Sequence, residues 1–391
     1  MRTERWTRTA IVLAALLAGG AASAITCPGG SFAIDETLAT GARWEMCWED
    51  LDAEGVVLRD VHFTPPGETR RRVLKEASIS QIHLVYDDDS ERRLLVSDAG
   101  LGGASRVDLL PADCPSGTLL PDGPVDVLCR QVDGRGYAWK YQDTQQQGYW
   151  LTLTGISRIG AQRWLARWRF HDDGTIEPGI GASGQLQAYG QDADFGQPVG
   201  AEGDIGVGWV ATTYWRLDFD IGTNPGDDLV ERFEVAPSAN GLKKSRSTTV
   251  LASEGGESLD FQLKRSWRVR DAVTTNSEGH RISYHLEPLQ AGHHYVPKAA
   301  EDWADHDFAV SVYDPCERLV AGNPTAGGCA ADLDGFLDGQ GVNGADVVLW
   351  YRTTYHHYPR DEDAPYIATR WQSFAVVPRD WTHENPLVGL P

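Results

Sequence analysis

Residues 208–221 read GWVATTYWRLDFDI, and few folds accommodate such a stretch. Its alternation of apolar and polar positions is that of a β-strand. It ends in Asp218-Phe219-Asp220. Side chains of a strand alternate between its two faces, so both carboxylates share one face and Phe219 takes the other. Two carboxylates so placed repel unless something positive stands between them. A hard cation with oxygen ligands is the natural candidate; a solvated strand end is the plainer alternative. Short alternating segments recur along the chain. Residues 43–49 and 55–63 make a hairpin through 50–54, and further strands are expected at 73–85, 137–142, 148–157 and 162–170. With 42 Gly, 20 Pro, 14 Trp and no long helical periodicity, the composition favours one large β domain over two smaller ones.

Residues 1–24 read as a cleavable export signal. Arg2, Arg5 and Arg8 form a basic start, residues 11–17 (IVLAALL) a short apolar core, and Ala22-Ser23-Ala24 a small-residue cleavage site. The apolar run is too short to span a bilayer, and no second long run follows, so a soluble secreted or periplasmic protein comprising residues 25–391 is expected. The formal charge of −21 becomes more negative once three Arg and one Glu leave with the signal. Such an acidic protein is a poor partner for nucleic acid or an anionic membrane. Six cysteines in an exported chain read as three disulfides. Many pairings are possible. Proximity in sequence favours Cys27–Cys47, Cys114–Cys129 and Cys316–Cys329, and no C-x-x-C spacing supports a thiolate metal site.

Residues 163–170 (RWLARWRF) alternate basic with large apolar side chains. Arginines lying along one face of a sheet explain this better than a nucleic-acid patch in so acidic a chain. The histidines at 280, 285, 293, 294 and 306 have no metal-ligand spacing and receive no role. Asp332-Leu333-Asp334-Gly335 hints at a calcium loop, but Phe336 stands where a third ligand is needed, so 318–345 is expected to be loop. There is no phosphate-cradling loop, no G-x-S-x-G elbow and no H-E-x-x-H.

From about Ala39 to Pro386 the order of landmarks resembles the catalytic β-sandwich domain of copper amine oxidases. The pieces are GARWEMCWEDLDAEGVVLRDVHF, QIHLVYDDD, the DAG turn at Asp98, LPADCP, WRFHDDGTIEPGIGASGQL, WRLDFDIGTN, DVVLWYRTTYHHYPRDED and WTHENP. The resemblance implies an all-β fold, an antiparallel β supersandwich, and a homodimer. It independently supports the Cys114–Cys129 pair. The smaller domains that family members carry ahead of the sandwich have no match here.

In that family a tyrosine six residues before the Trp of the W-x-F…DGTI strand becomes topaquinone. That Trp matches Trp168, and six residues back stands Gln162, which has no ring to hydroxylate. Two of the family's three copper-binding histidines fall at Trp209 and Ala211; the third survives as His357. One imidazole is a poor copper site, so copper and topaquinone are not expected. The family's catalytic base matches Asp98, which without the cofactor reads as a relic or a turn residue. The family's peripheral calcium site would here be built from the carboxylates of Asp218, Asp220 and Asp346 and the carbonyls of Phe219 and Val347, so calcium is expected. The resulting expectation is an exported pseudoenzyme with a binding or structural role. The rivals are an oxidoreductase with altered chemistry, using Asp98 and His357 with a different metal or a modified tryptophan such as Trp164, and an ordinary amine oxidase.

Overall fold

A computed structural model describes residues 25–87, 93–190, 194, 196–200, 204–222, 224–241, 243–289 and 301–390. Residues 1–24, where an export signal is expected, and Asp88, Asp89, His293 and His294 lie outside the described residues. Among those residues the fold is almost entirely antiparallel sheet. One sheet has nine strands and a second has eleven, with a small three-stranded sheet beside them. Among the described residues the one α-helix is Leu333–Phe336, capped by the Asp332 carboxylate, which accepts from the Gly335 amide. No helix among the described residues is long and apolar enough to cross a membrane.

The first sheet is organised around Trp209–Gly222, which pairs with Arg71–Tyr86 on one side and Val347–His357 on the other. Its odd-numbered side chains, including Trp209, Ala211, Trp215, Leu217 and Phe219, enter the main core between the two sheets. Its even-numbered side chains face the other way, where Tyr214 packs into a second core with Trp303, Val320, Leu333, Phe336 and Trp350. The Gly- and Asp-rich segment expected to be loop therefore covers this outer face. That cover explains why the whole strand is buried although its sequence alternates.

In the second sheet, Gln162–His171 lies between Thr144–Ile159 and Ile176–Gln185. Trp164, Trp168 and Phe170 turn inward, and Trp168 meets Trp215 edge-on at 5.3 Å between ring centres. Buried aromatics of this kind carry much of a core's stability. Arg167 and Arg169 of the same strand turn outward and lie on aromatic rings. The Arg167 guanidinium sits 3.7 Å from the Trp371 ring centre and that of Arg169 4.2 Å from Trp150. Glycine is required at Gly174, which closes the His171–Thr175 turn with φ +94° and leaves no space for a Cβ against Phe63.

All three expected disulfides form, with Cα–Cα separations of 5.6 Å for Cys27–Cys47, 5.5 Å for Cys114–Cys129 and 5.9 Å for Cys316–Cys329. Each staples a local segment to the edge or cover of the sandwich and restricts the unfolded chain, an effect of about 2–4 kcal/mol apiece.

Candidate functional site

Strand alternation places Arg216, Asp218 and Asp220 on the outer face of the central strand. The register sets Phe219 opposite Val347 and Asp218 opposite Val348, which brings the start of the neighbouring strand and Asp346 alongside. Asp218 and Asp220 are fully buried, which removes the solvated strand end as an explanation. Neither Asp218 oxygen has a hydrogen bond; its nearest cation is Arg216, Nη2 to Oδ2 3.7 Å. Asp220 meets Arg72 through Oδ2 at 3.0 Å, while its Oδ1 has no partner, and Asp346 Oδ1 has none either. Burial, against the partial relief of Arg216 and with the added repulsion of Asp346, pushes the Asp218 carboxyl up to about 8. Burial likewise raises Asp220 and Asp346, the latter also through Asp220. The half-buried Asp346 thus repels both Asp218 and Asp220. As the side chains stand, no group of three or more His, Cys, Asp or Glu among the described residues is gathered tightly enough to hold a metal.

Sequence reasoning missed part of this neighbourhood. Asp228 is fully buried, its Oδ1 lacks a partner, and burial with Asp271, Asp227 and Asp220 nearby lifts its carboxyl to about 9. It is tied to the Asp346 loop by a bridge to Ala345. Glu76 also went unremarked. It accepts from Arg216 Nη1 at 2.8 Å, stands 3.0 Å from Arg318 Nη1, and pairs with Arg59. Nothing in the mixed local sequence VLKEASIS signals these pairings.

At the opposite end of the same strand the polar groups are enclosed differently. His357 is 2% exposed, its Nε2 lies 3.1 Å from Asp363 Oδ2, and its Nδ1 has no partner. Burial lowers its pKa despite the pull of Asp363. Trp209 stacks on the imidazole, 5.0 Å between centres and 20° between planes, and meets Trp164 at 6.2 Å and Tyr355 at 5.6 Å. Ala211 sits beside it, opposite Tyr355 and Leu84 in register. These residues do not fit copper. One imidazole faces an indole and a carboxylate, where copper(II) favours several nitrogen ligands. Gln162, 2% exposed, lies opposite Gly184, and a Cβ on that glycine would come within 2.8 Å of Gln162 Oε1.

Asp98 stands apart from this cluster. It is exposed, on a turn spanning Val96–Ala99, and its carboxylate lies so close to Gly322 that a Cβ there would come within 2.6 Å of Oδ1. Burial on that side raises its pKa. Leu101, a few residues on, reaches the space beside Trp164, but Asp98 does not line it.

Residues 131–391 match the model of the copper amine oxidase enzyme domain. The chain belongs to the copper amine oxidase family. It is 25% identical over 406 residues to a histamine oxidase of Arthrobacter globiformis, covering 93% of this chain and 58% of that protein. It is 24% identical over 402 residues to a primary amine oxidase of Arthrobacter sp. (strain P1), covering 93% and 62%. The chain therefore spans about three fifths of the length of these curated relatives. Among solved structures, a copper-containing benzylamine oxidase from Hansenula polymorpha superposes with a TM-score of 0.76 at 16% identity, over 100% of this chain and 68% of that one. An Aspergillus nidulans amine oxidase gives 0.75 at 21% identity, over 98% and 56%. These likenesses carry the β-supersandwich fold.

Proposed function

We propose that this copper amine oxidase relative is an exported protein that does not oxidise amines through a quinone and acts instead as a binding or structural module. The observation that carries this reading is the Trp209–His357 stack, and the buried Gln162 stands where the resemblance expects the quinone tyrosine. Topaquinone requires a tyrosine next to copper. Here the ring is missing at Gln162 and the nitrogen donors are missing at Trp209 and Ala211. The remaining imidazole is held by Asp363.

The second half of the proposal is a structural calcium ion. Carboxylate oxygens of Asp218, Asp220 and Asp346 without hydrogen-bond partners suit a hard cation. Drawing Asp346 toward the Asp218–Asp220 face, with the carbonyls of Phe219 and Val347 as further ligands, would complete an oxygen shell. Homodimerisation, as in the family, and export through residues 1–24 complete the reading; three disulfides are compatible with an oxidising compartment.

Metal analysis and a visible spectrum of the purified protein test both halves. The expected result is a colourless protein with calcium and no stoichiometric copper. Copper at one ion per chain, with a visible quinone band, overturns the reading.

A further inference from the structure

The outward side of the second sheet carries more positive charge around Gln162–His171 than its neighbours neutralise. Trp164 and Trp168 of that strand turn inward, so Arg163, Arg167 and Arg169 turn outward. Arg158 of the neighbouring strand stands directly opposite Arg163 and shares its face. Like charges set opposite each other across two strands are destabilising. Neither Arg158 nor Arg163 meets a carboxylate among the described residues; Arg163 donates to the Gln162 carbonyl at 3.0 Å. Arg167 and Arg169 share one carboxylate, Glu177, at 3.8 and 3.3 Å. Burial and the adjacent Arg169 lower the Arg167 pKa to about 10. In a chain of net charge −21 this is a local reversal of sign.

The stripe of arginines begins at an open cleft. Arg163, Ser183, Gln185 and Tyr366 line it over the backbone of Gly160 and Gly184, and it measures ≈ 330 Å³, room for a sugar ring. Tyr366 is 72% exposed, so one aromatic ring stands open there. The outward positions run from Arg163 to Arg169, about 20 Å along the strand. At the far end the Arg167 and Arg169 guanidiniums are held in place on Trp371 and Trp150.

This arrangement narrows the partner. The Trp150 and Trp371 rings already carry guanidiniums, so the face presents no row of open rings on which successive bases of a nucleic-acid strand could stack. Gln162–His171 is paired on both sides, so an acidic peptide finds no free strand edge there to extend. A single open ring followed by spaced cations suits a sugar chain that carries negative groups.

We propose that this outward face binds a linear anionic polysaccharide, with one sugar resting on Tyr366 in the cleft and its sulfate or carboxylate groups meeting Arg158, Arg163 and, further along, Arg167 and Arg169. The negative face of the tyrosine ring suits the C–H side of a sugar. Guanidinium forks meet sulfate or carboxylate oxygens through paired N–H donors. The site is independent of the copper and calcium positions.

The test is calorimetric titration of the full-length chain at low salt. The probes are size-matched dextran sulfate, polygalacturonate, neutral dextran, polyglutamate and oligothymidylate. The expected result is saturable binding of at least one of the two anionic saccharides, weakened by added salt. Dextran should not bind, and polyglutamate and oligothymidylate should bind at least tenfold more weakly. Which of the two saccharides binds tells sulfate from carboxylate. The double variant Arg158→Glu/Arg163→Glu should weaken binding at least tenfold and Tyr366→Ala at least threefold, both with the wild-type melting curve. No saturable binding of either anionic saccharide overturns the proposal. So does comparable binding of dextran, polyglutamate or oligothymidylate, or unchanged binding in either variant.

Discussion

At its start the Trp209–Gly222 strand turns Trp209 and Ala211 inward, where the indole stacks on His357 and touches Trp164 and Tyr355. At its end it turns Asp218 and Asp220 outward into a buried space where carboxylate oxygens lack partners. Both ends are positions to which the family resemblance assigns a metal. At the first, large apolar surface now supplies the packing, and the protein core is complete without an ion. At the second, charge has been retained at a cost that only a cation or protons can offset. A site can thus lose its ligands and become core, but a site that keeps its carboxylates stays dependent on something that binds there.

The largest expected effect comes from the packed end. Trp209→Ala should destabilise the protein by about 3–5 kcal/mol, because it leaves a large cavity against three aromatic neighbours. Denaturant unfolding measures this, and a loss below about 1 kcal/mol would mean that the indole is not part of the core's packing. Replacing Trp209 and Ala211 by His should also destabilise, because both changes disturb the packing at this end.

Calcium should act at the other end. A cation that binds only the folded state stabilises it by about 2.7 kcal/mol at a hundredfold excess over its dissociation constant. The thermal midpoint should rise accordingly, and Asp218→Asn or Asp346→Asn should remove most of the rise. A melting curve unchanged by chelator, with no calcium in the dialysed protein, would reduce this end to a protonated acidic cluster.

The same region sets a pH dependence. Burial holds the Asp218 carboxyl up at about 8 and that of Asp228 at about 9, against an ordinary aspartate value of 3.8. Between those limits the folded state binds more protons than the unfolded chain, so stability falls as pH rises. In chelator the stability should be full below about pH 4 and lost progressively up to about pH 9. Calcium should flatten that decline, most strongly at the alkaline end. A chelated protein equally stable at pH 5 and pH 8.5 would contradict the burial of these acids.

The smallest effect is expected at Asp363. Asp363→Asn weakens the partner of His357 Nε2 and should cost about 1 kcal/mol, with no effect on the calcium response.

The strands and the sites were legible in the sequence to different degrees. Period-two alternation located the central strand and the face shared by Asp218 and Asp220, because strand geometry leaves no other arrangement. The outward arginines of RWLARWRF were legible for the same reason, and the three disulfides followed from proximity. What could not be read was the cover. Alternation says which side chains share a face but not whether another segment lies over it, so the burial of the carboxylates by the 301–345 region had no local signal. Asp228, Glu76 and Asp363 act through contacts with residues distant in sequence or across a turn, and periodicity does not report such contacts. Gln162 and Trp209 could be singled out only through the family resemblance. Nothing in their local sequence distinguishes them from ordinary strand residues.

The account depends most on the absence of a quinone cofactor. Its most direct test is to incubate the purified protein with copper and oxygen and then titrate it with phenylhydrazine, which traps a carbonyl cofactor as a coloured adduct. The account predicts no adduct and no hydrogen peroxide released from added primary amines. One coloured adduct per chain, or amine-dependent peroxide, would contradict it and would mean that a cofactor is made from a residue other than Gln162.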